Sequence, residues 1–600
     1  MLSPDARTVA TDILRPPAGF ALDHALITTY SLDLDVILAL PLAVMAQSDK
    51  SVEELLADPM LTLEALREAG QRLDIFVDEA SIAVPHTNRA LYAMLEDCVH
   101  PMRAVNGGAF HPKIWLVRFR GEDDTLLLRV AVLSRNLTYD RSWDMALVSE
   151  TAPGREKNFE PSAALGELIR ALPGMAVHGL DDATEQRIAE LAGQFESTRF
   201  PGPDKVKRPI YFEALGIHEG TAEPWYPWEI GNELLAIAPF VNRTGLKQLV
   251  ERSAGPRTLI SRRQALDDLS EAALEDWDEV LVLSDAAIDE AEDGIAGGSD
   301  LHAKLVALER KSRITWYLGS ANVTAAAYTG RNVEVLASIV GPREAGGKAG
   351  GFAIADFRES GFPNLCEPYR RGEHAAEDPA VTAAKNRLDK AREALVRGDF
   401  AVSCEPAGEQ WGWTVAGEAE LPGGVSIRVW PVSLNESQSQ SFEPSLTWSL
   451  PMSRLTAFAA FRLGVDADVD DVTFVLKLPV TGMPEGRVAQ VLRSLIDSPE
   501  KFIRFLRALL GGLDGMVEWA GNGDGAGWQG DWGPGLDGET LLDDLLRAAA
   551  RDPERLEPVR RLIGDLRSTP EGREIVPDEL FGIWQVIDEA VSSGQLRNTG

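Results

Sequence analysis

The chain carries one pattern twice, and that repetition constrains its fold more than any other feature. The first copy reads GAFHPKIWLV…LLRVAVLSRNLT and places His111, Lys113, Ser134 and Asn136 in order. The second reads DLHAKLVAL…ITWYLGSANVT and places His302, Lys304, Ser320 and Asn322 in the same order. A lone H-x-K is noise, but two copies are not, when each sits in an apolar run and each is followed by S-x-N and a threonine. A coarser repeat surrounds them. Residues 25–37 and 234–250 each read as a strand followed by a helix. Further strands are expected at 73–80, 257–262 and 278–285, with closing strands at 144–150 and 334–340. Strands alternating with helical stretches predict an α/β fold with a largely parallel or mixed sheet in each half. The economical division is two homologous lobes, 1–200 and 205–370.

Beyond residue 370 the character changes. Residues 371–400 read as a polar helical connector, and 400–485 as a β-rich domain of alternating strands such as VSIRVWPVSL and VTFVLKLPV. Residues 486–600 read as a helical C-terminal region. Within it, Ser498-Pro499-Glu500 is a helix start, and 520–539 is a glycine-rich linker carrying Trp528 and Trp532. Six hundred residues exceed one ordinary core, so several domains are expected.

With 44% hydrophobic and 25% charged residues, the chain reads as globular and water-soluble. The apolar run from Val36 to Ala46 is interrupted by Pro41 and falls well short of the ~20 residues that span a bilayer, so a buried helix is expected. No signal peptide is read at the N-terminus. Three cysteines, Cys98, Cys366 and Cys404, argue against a disulfide framework or a cysteine zinc site and suit a reducing cytoplasm. The net charge of −34 repels polyanions and anionic membrane surfaces as a whole. Any phosphodiester must therefore find a local basic groove.

The repeated residues supply what a phosphodiester needs. One imidazole attacks phosphorus, and a second protonates the departing oxygen. Lysines place fixed charge on the non-bridging oxygens, while asparagine and serine donate without titrating. Residues two apart on a strand share a face, so each His–Lys pair and each Ser–Asn pair is expected to line one pocket. Thr138 and Thr324 are expected to cap helices aimed at the phosphate. No metal or cofactor is required by this inventory.

The paired HPK…SRN and HAK…GSAN motifs resemble the signature of the phospholipase D superfamily, over roughly residues 1–370. The resemblance implies two phospholipase D-like lobes around one pseudo-twofold site and phosphodiester cleavage through a phosphohistidine. It places His111 and His302 in the nucleophile and acid/base roles, and analogy favours attack by His111. Lys113, Lys304, Asn136 and Asn322 fall to phosphate binding, with Ser134 and Ser320 as helpers. Asp144 and Glu334 match the acidic residue that orients the opposing histidine. Lipid-cleaving members carry Asp at the fifth position after the lysine, where this chain has Arg118 and Glu309. That departure brings it nearer to tyrosyl-DNA phosphodiesterases and nuclease-like branches.

The leading reading is therefore a metal-independent phosphodiesterase acting on DNA or RNA. The family suggests phage defence or DNA repair as its setting, with a protein partner recruited through residues 371–600. No stable membrane association is expected, and the oligomeric state is open. A phospholipid-cleaving enzyme and a catalytically inactive subunit of a defence complex stand as alternatives. His24 is read as a surface or capping residue, and His86, His100, His178, His218 and His374 as structural. The GGKAGG stretch around Lys348 lacks the spacing of a phosphate loop, and the acidic cluster 289–293 lacks that of a calcium loop.

Overall fold

The computed structural model describes residues 10–45, 72–138, 142–154, 159–204, 206–220, 224–227, 229–284, 300–342, 352–359, 362–372, 379–496, 498, 502, 506, 545, 556–567, 570–576 and 578–592. His374, Lys348, the acidic cluster 289–293 and the glycine-rich segment 520–539 lie outside these residues. So do most of 497–544, including Pro499 and Glu500.

Two sheets are built on one plan. In the first, β1 (Phe20–Thr29), β2 (Leu73–Asp78) and β3 (Val99–Met102) run parallel. On the other side of β1 follow β4 (Ile114–Gly121) and β5 (Leu126–Leu133), then β7 (Ala146–Thr151), each antiparallel to its neighbour. The short β6 (Ser142–Trp143) lies between β5 and β7 in sequence. The order is thus β3-β2-β1-β4-β5-β7. The second sheet uses β9 (Glu233–Ile237), β10 (Arg257–Ile260), β11 (Glu279–Leu283), β13 (Leu305–Arg310), β14 (Arg313–Gly319) and β15 (Glu334–Pro342). They occur in the same relative order and directions, with β8 (Tyr211–Leu215) and β16 (Cys366–Pro368) added at the edges. A two-residue strand, β12 (Asp300–Leu301), leaves this sheet and pairs in parallel with β6 of the first half.

The strands read as nearly unbroken apolar runs because both faces are covered. On β4, Trp115, Val117 and Phe119 belong to one core, while Ile114 and Leu116 belong to the opposite one. The first core takes in the helix Leu34–Met45, whose described side chains Ile37, Leu38 and Leu40 are buried as the sequence predicts. The second holds the helices Ala163–Met175 and Asp182–Glu196 together with Phe212, Val333, Val335 and Ala337 from the other half. One apolar core therefore spans the two halves.

His24 departs from the sequence expectation. Pairing of Phe20, Ala21 and Leu22 with Gly121, Arg120 and Phe119 starts β1 earlier than its apolar run suggested. His24 is thereby buried inside the sheet. Its Nε2 lies 2.8 Å from Asp74 Oδ2, and His100 Nε2 lies 2.9 Å from Asp74 Oδ1. Adjacent parallel strands bring these same-face residues together. Burial alone would raise the Asp74 carboxyl, but the two imidazoles hold it well below the ordinary range.

After the helix Pro379–Arg397 come two four-stranded sheets. One contains β17 (Asp399–Ala407), β18 (Gln410–Glu418), β21 (Ser445–Leu450) and β24 (Val480–Thr481). The other contains β19 (Val425–Pro431), β20 (Gln440–Ser441), β22 (Phe458–Val465) and β23 (Val472–Lys477). Pairing is antiparallel except for β24 on β17. This region is seated on the first sheet. Val475 N donates to Ile82 O at 2.9 Å, and Trp430, Phe458 and Val475 join the first-half core. The buried Glu96 accepts from Ala457 N at 2.9 Å and from Arg487 Nη1 at 2.8 Å. Removing either charge of such a pair would strand the other in a desolvated place.

Gly319, the last residue of β14, has φ +158° and lies against β15 so closely that a Cβ would sit 2.1 Å from Val335 O. This approach lets Ser320 N reach Val335 O at 3.0 Å. Gly319→Ala is expected to lower stability by about 1–3 kcal/mol, the range for forced backbone strain. A urea unfolding midpoint unchanged from the wild type would contradict this close approach.

Candidate active site

Both H-x-K triplets lie just ahead of a strand rather than on it, since β4 starts at Ile114 and β13 at Leu305. The S-x-N pairs likewise follow β5 and β14. The reason is an exchange between the halves. His111 N donates to Val333 O at 3.0 Å, and His302 N donates to Trp143 O at 3.0 Å. Each histidine thus leaves its own ladder and takes a backbone partner from the other half. The residue after each acceptor then supplies a carboxylate. His111 Nδ1 is 2.8 Å from Glu334 Oε2, and His302 Nδ1 is 3.0 Å from Asp144 Oδ1.

Each carboxylate is fixed from its own half. Ser134 Oγ donates to Asp144 Oδ1 at 2.8 Å and accepts from Met145 N at 2.8 Å. Ser320 Oγ donates to Glu334 Oε2 and accepts from Val335 N at 3.0 Å. Ser142 Oγ adds a bond to Asp144 Oδ2 at 2.9 Å, and Asn332 Nδ2 one to Glu334 Oε1 at 3.2 Å. The serines read as helpers therefore act through the carboxylates and are positioning residues. With Nδ1 of each ring committed, Nε2 is the nitrogen that can turn to a substrate, that of His111 once Lys113 Nζ moves from it.

The lysines are almost wholly buried, Lys113 at 0% and Lys304 at 1% exposure. Lys113 Nζ lies 2.9 Å from His111 Nε2, and Lys304 Nζ donates to His302 O at 2.9 Å. Burial, and then the Lys304 charge, push Lys113 well below the ordinary lysine range. His111 is pushed down to about 4, by burial foremost and against the pull of Glu334. His302 is lowered as well, again by burial first and with both lysines contributing. Burial works to raise Asp144 and Glu334, but their histidine and serine partners outweigh it and hold both below the ordinary carboxylate range. Neutral imidazoles, ionised carboxylates and two lysines that feel each other across the gap therefore make one electrostatic unit. Lys304 Nζ also reaches Ser134 O of the other half at 3.5 Å, and Lys113 and Lys304 both lower the two rings.

Other residues of the pattern are placed less symmetrically. Asn136 Oδ1 accepts from Ser31 N at 3.4 Å, whereas Asn322 Oδ1 is buried with no partner among the described residues. Thr324 caps the short helix Ala325–Tyr328 as expected, accepting from Ala327 N. No helix is described after Thr138, and the next described residues, Ser142 and Trp143, are strand. Arg118 and Glu309 point to structural tasks. Arg118 bonds Asp23 and Glu190, and Glu309 Oε1 accepts from Ile354 N at 2.6 Å. Sequence reasoning missed Tyr30, whose ring centre lies 5.1 Å from that of His111 and 5.7 Å from Lys113 Nζ. The signal was its place just past the β1 end, where the active half-site begins.

The arrangement can bind a tetrahedral anion and supply one nucleophilic and one proton-carrying nitrogen. Among the described residues no cluster of metal ligands is found. An anion between the lysines should raise the proton affinity that burial lowers at Lys113. Sulfate binding at pH 8, followed by calorimetry in buffers of different ionisation enthalpy, is therefore expected to take up protons. Lys113→Met should abolish most of that uptake. Binding with no proton exchange would show that the lysine is already charged in the empty site.

No family model matches the chain, and no curated protein matches it. Solved structures to which it is similar include three crystal structures of mutant yeast tyrosyl-DNA phosphodiesterase, each 11% identical. Their TM-scores are 0.32, 0.31 and 0.34, with 56%, 54% and 56% of this chain and 84%, 83% and 85% of theirs covered.

Proposed function

We propose that this chain is a phospholipase D-type phosphodiesterase that needs no metal, passes through a phosphohistidine and acts on nucleic acid. The observation that carries the reading is the crossed pair of imidazole–carboxylate bonds, His111–Glu334 and His302–Asp144, set around two buried lysines. A fold could bury apolar residues at these positions far more cheaply. Burying two lysines costs several kcal/mol each unless an anion compensates them. Their place beside two oriented imidazoles is explained by a bound phosphodiester.

In this reading the neutral His111 Nε2 attacks phosphorus. The bond to the leaving oxygen breaks, and protonated His302 gives that oxygen its proton. His302 then takes a proton from water, whose oxygen attacks phosphorus and breaks the N–P bond. Lys113 and Lys304 hold the non-bridging oxygens, joined by Asn136 and Asn322. Attack by His111 suits its low proton affinity, since the ring stays unprotonated down to about pH 4. The nucleic-acid preference is supported by Arg118 and Glu309, which replace the aspartate of lipid-cleaving relatives and are committed to structural bonds.

Cleavage of labelled single- and double-stranded DNA and RNA should persist in excess chelator and disappear in His111→Ala. His302→Ala should lose about 10²–10⁴-fold in rate, the usual worth of a positioned proton donor. Cutting abolished by chelator would overturn the reading. The pH dependence has a definite sign. kcat/KM requires His111 neutral, above about 4, and His302 protonated, below a value itself under the ordinary 6.5. A bell with its maximum between those limits is expected, falling about tenfold per unit on the alkaline side. Asp78→Asn removes a buried carboxyl pushed up to about 6 and should leave both limbs in place. An activity that rises steadily from pH 6 to 9 would contradict the assignment.

A further inference from the structure

Two large aromatic side chains stand exposed among the described residues, Tyr226 and Phe240, and they lie at opposite ends of β9. Tyr226 precedes the strand. Phe240 follows its carboxyl end, where the chain turns into the site. The backbone around Phe240 is firmly held. Val241 pairs in parallel with Val323, the neighbour of Asn322, and Asn242 N donates to Val323 O at 3.0 Å. Asn242 Oδ1 then accepts from Gly245 N at 2.9 Å and Ala325 N at 3.2 Å. A mobile loop cannot account for the exposed ring. On a pinned turn, Phe240 still leaves 48% of its surface in water. Exposing that much apolar area gains nothing for the fold.

Arg262 supplies the second half of the feature. Its guanidinium carbon lies 5.0 Å from the centre of the Phe240 ring. Its Nε is committed, donating to Leu301 O at 2.7 Å and pairing with Asp300 Oδ2 at 2.9 Å. Leu301 is the residue before His302. The guanidinium is thus tied through Nε to the chain that carries the proposed proton donor, and it lies over the ring. Asp300 compensates its charge, so the pair offers stacking surface rather than net attraction for phosphate. A rigid aromatic and a flat guanidinium are what an unpaired base stacks on. In a duplex, that face is already covered by the neighbouring base.

We infer that Phe240 and Arg262 form a seat for one unpaired base of a single-stranded nucleic acid, next to the phosphate held between His111 and His302. The inference rests on the phosphodiesterase reading and names its substrate form. The seat lies on the His302 side of the centre and Tyr30 on the His111 side, so the strand is engaged on both flanks of the reacting phosphate.

The test uses the full chain and short single-stranded oligo-dT and oligo-U, with binding followed by fluorescence anisotropy. A series in which one base at a time is removed locates the seat. Wild type should lose roughly 5- to 100-fold in affinity at one abasic position and little elsewhere. Phe240→Ala should show the same loss on the intact strand, with no further loss at that position. Phe240→Trp should restore binding, which a merely structural role would not allow. Hydrolysis of methyl p-nitrophenyl phosphate, which has no base to stack, should be unchanged in Phe240→Ala. No binding of either oligonucleotide, or equal affinities of wild type and Phe240→Ala for every strand, overturns the seat. If that small diester is still cleaved by wild type and not by His111→Ala, the phosphodiesterase reading survives that outcome. If wild type fails to cleave the diester, the phosphodiesterase reading is what fails.

Discussion

Everything at the centre of this molecule depends on an exchange of partners between its two halves. Each histidine gives up a backbone bond in its own sheet and takes one from the other, at Val333 O for His111 and Trp143 O for His302. The next residue in each case carries the carboxylate that fixes the ring. Backbone register therefore decides side-chain chemistry. A slip of one residue in either parallel bridge would turn Glu334 or Asp144 to the opposite side. The shared apolar core, with Phe110 and Val130 packed in one cluster with Phe212 and Val335, keeps the halves in the register that the exchange needs.

The exchange also explains how so much charge is tolerated where water is scarce. Two ionised carboxylates face the two lysines, burial lowers the proton affinity of Lys113, and it pushes both imidazoles toward the neutral form. A phosphodiester adds one negative charge, and protonating His302 adds one positive. In the proposed catalytic complex the diester also favours the charged form of Lys113, so the added charges offset one another. A desolvated centre that stays near neutrality through a proton-transfer cycle avoids the large cost of an uncompensated buried ion. Water-poor surroundings then strengthen every bond to the transition state.

The motif pattern made the centre legible because its chemistry needs specific side chains at fixed spacing. His111 and His302 meet Glu334 and Asp144, carboxylates more than 150 positions away, at 2.8 and 3.0 Å. The alternation of apolar runs likewise predicted most strands, since a strand buried on both faces has little freedom in composition. Two kinds of feature were hidden. His24 and Asp74 lie 50 positions apart and meet only because β1 and β2 are neighbours, a fact of topology that no local window contains. Phe240 is hidden for the opposite reason. An isolated exposed aromatic leaves no periodic trace, and only its distance to Arg262 gives it meaning. Ser134 and Ser320 bond the carboxylates of Asp144 and Glu334, partners that motif spacing alone does not name.

Under the proposed function, the overall charge of −34 constrains how a nucleic acid is recognised. Long-range attraction is not available, and at physiological salt charge is felt only over about 8 Å. Binding by phosphate neutralisation would need many exposed lysines and arginines along a groove, and would weaken steeply with salt. The lysines of this centre are two, buried, and faced by two carboxylates. Affinity for a polyanion must then come from contacts that salt does not screen, and base stacking is the main one available to a single strand. The proposed stacking seat beside the two buried lysines thus suits an unpaired strand on an acidic chain. A duplex brings its full charge density to the same surface and offers no free base face in return.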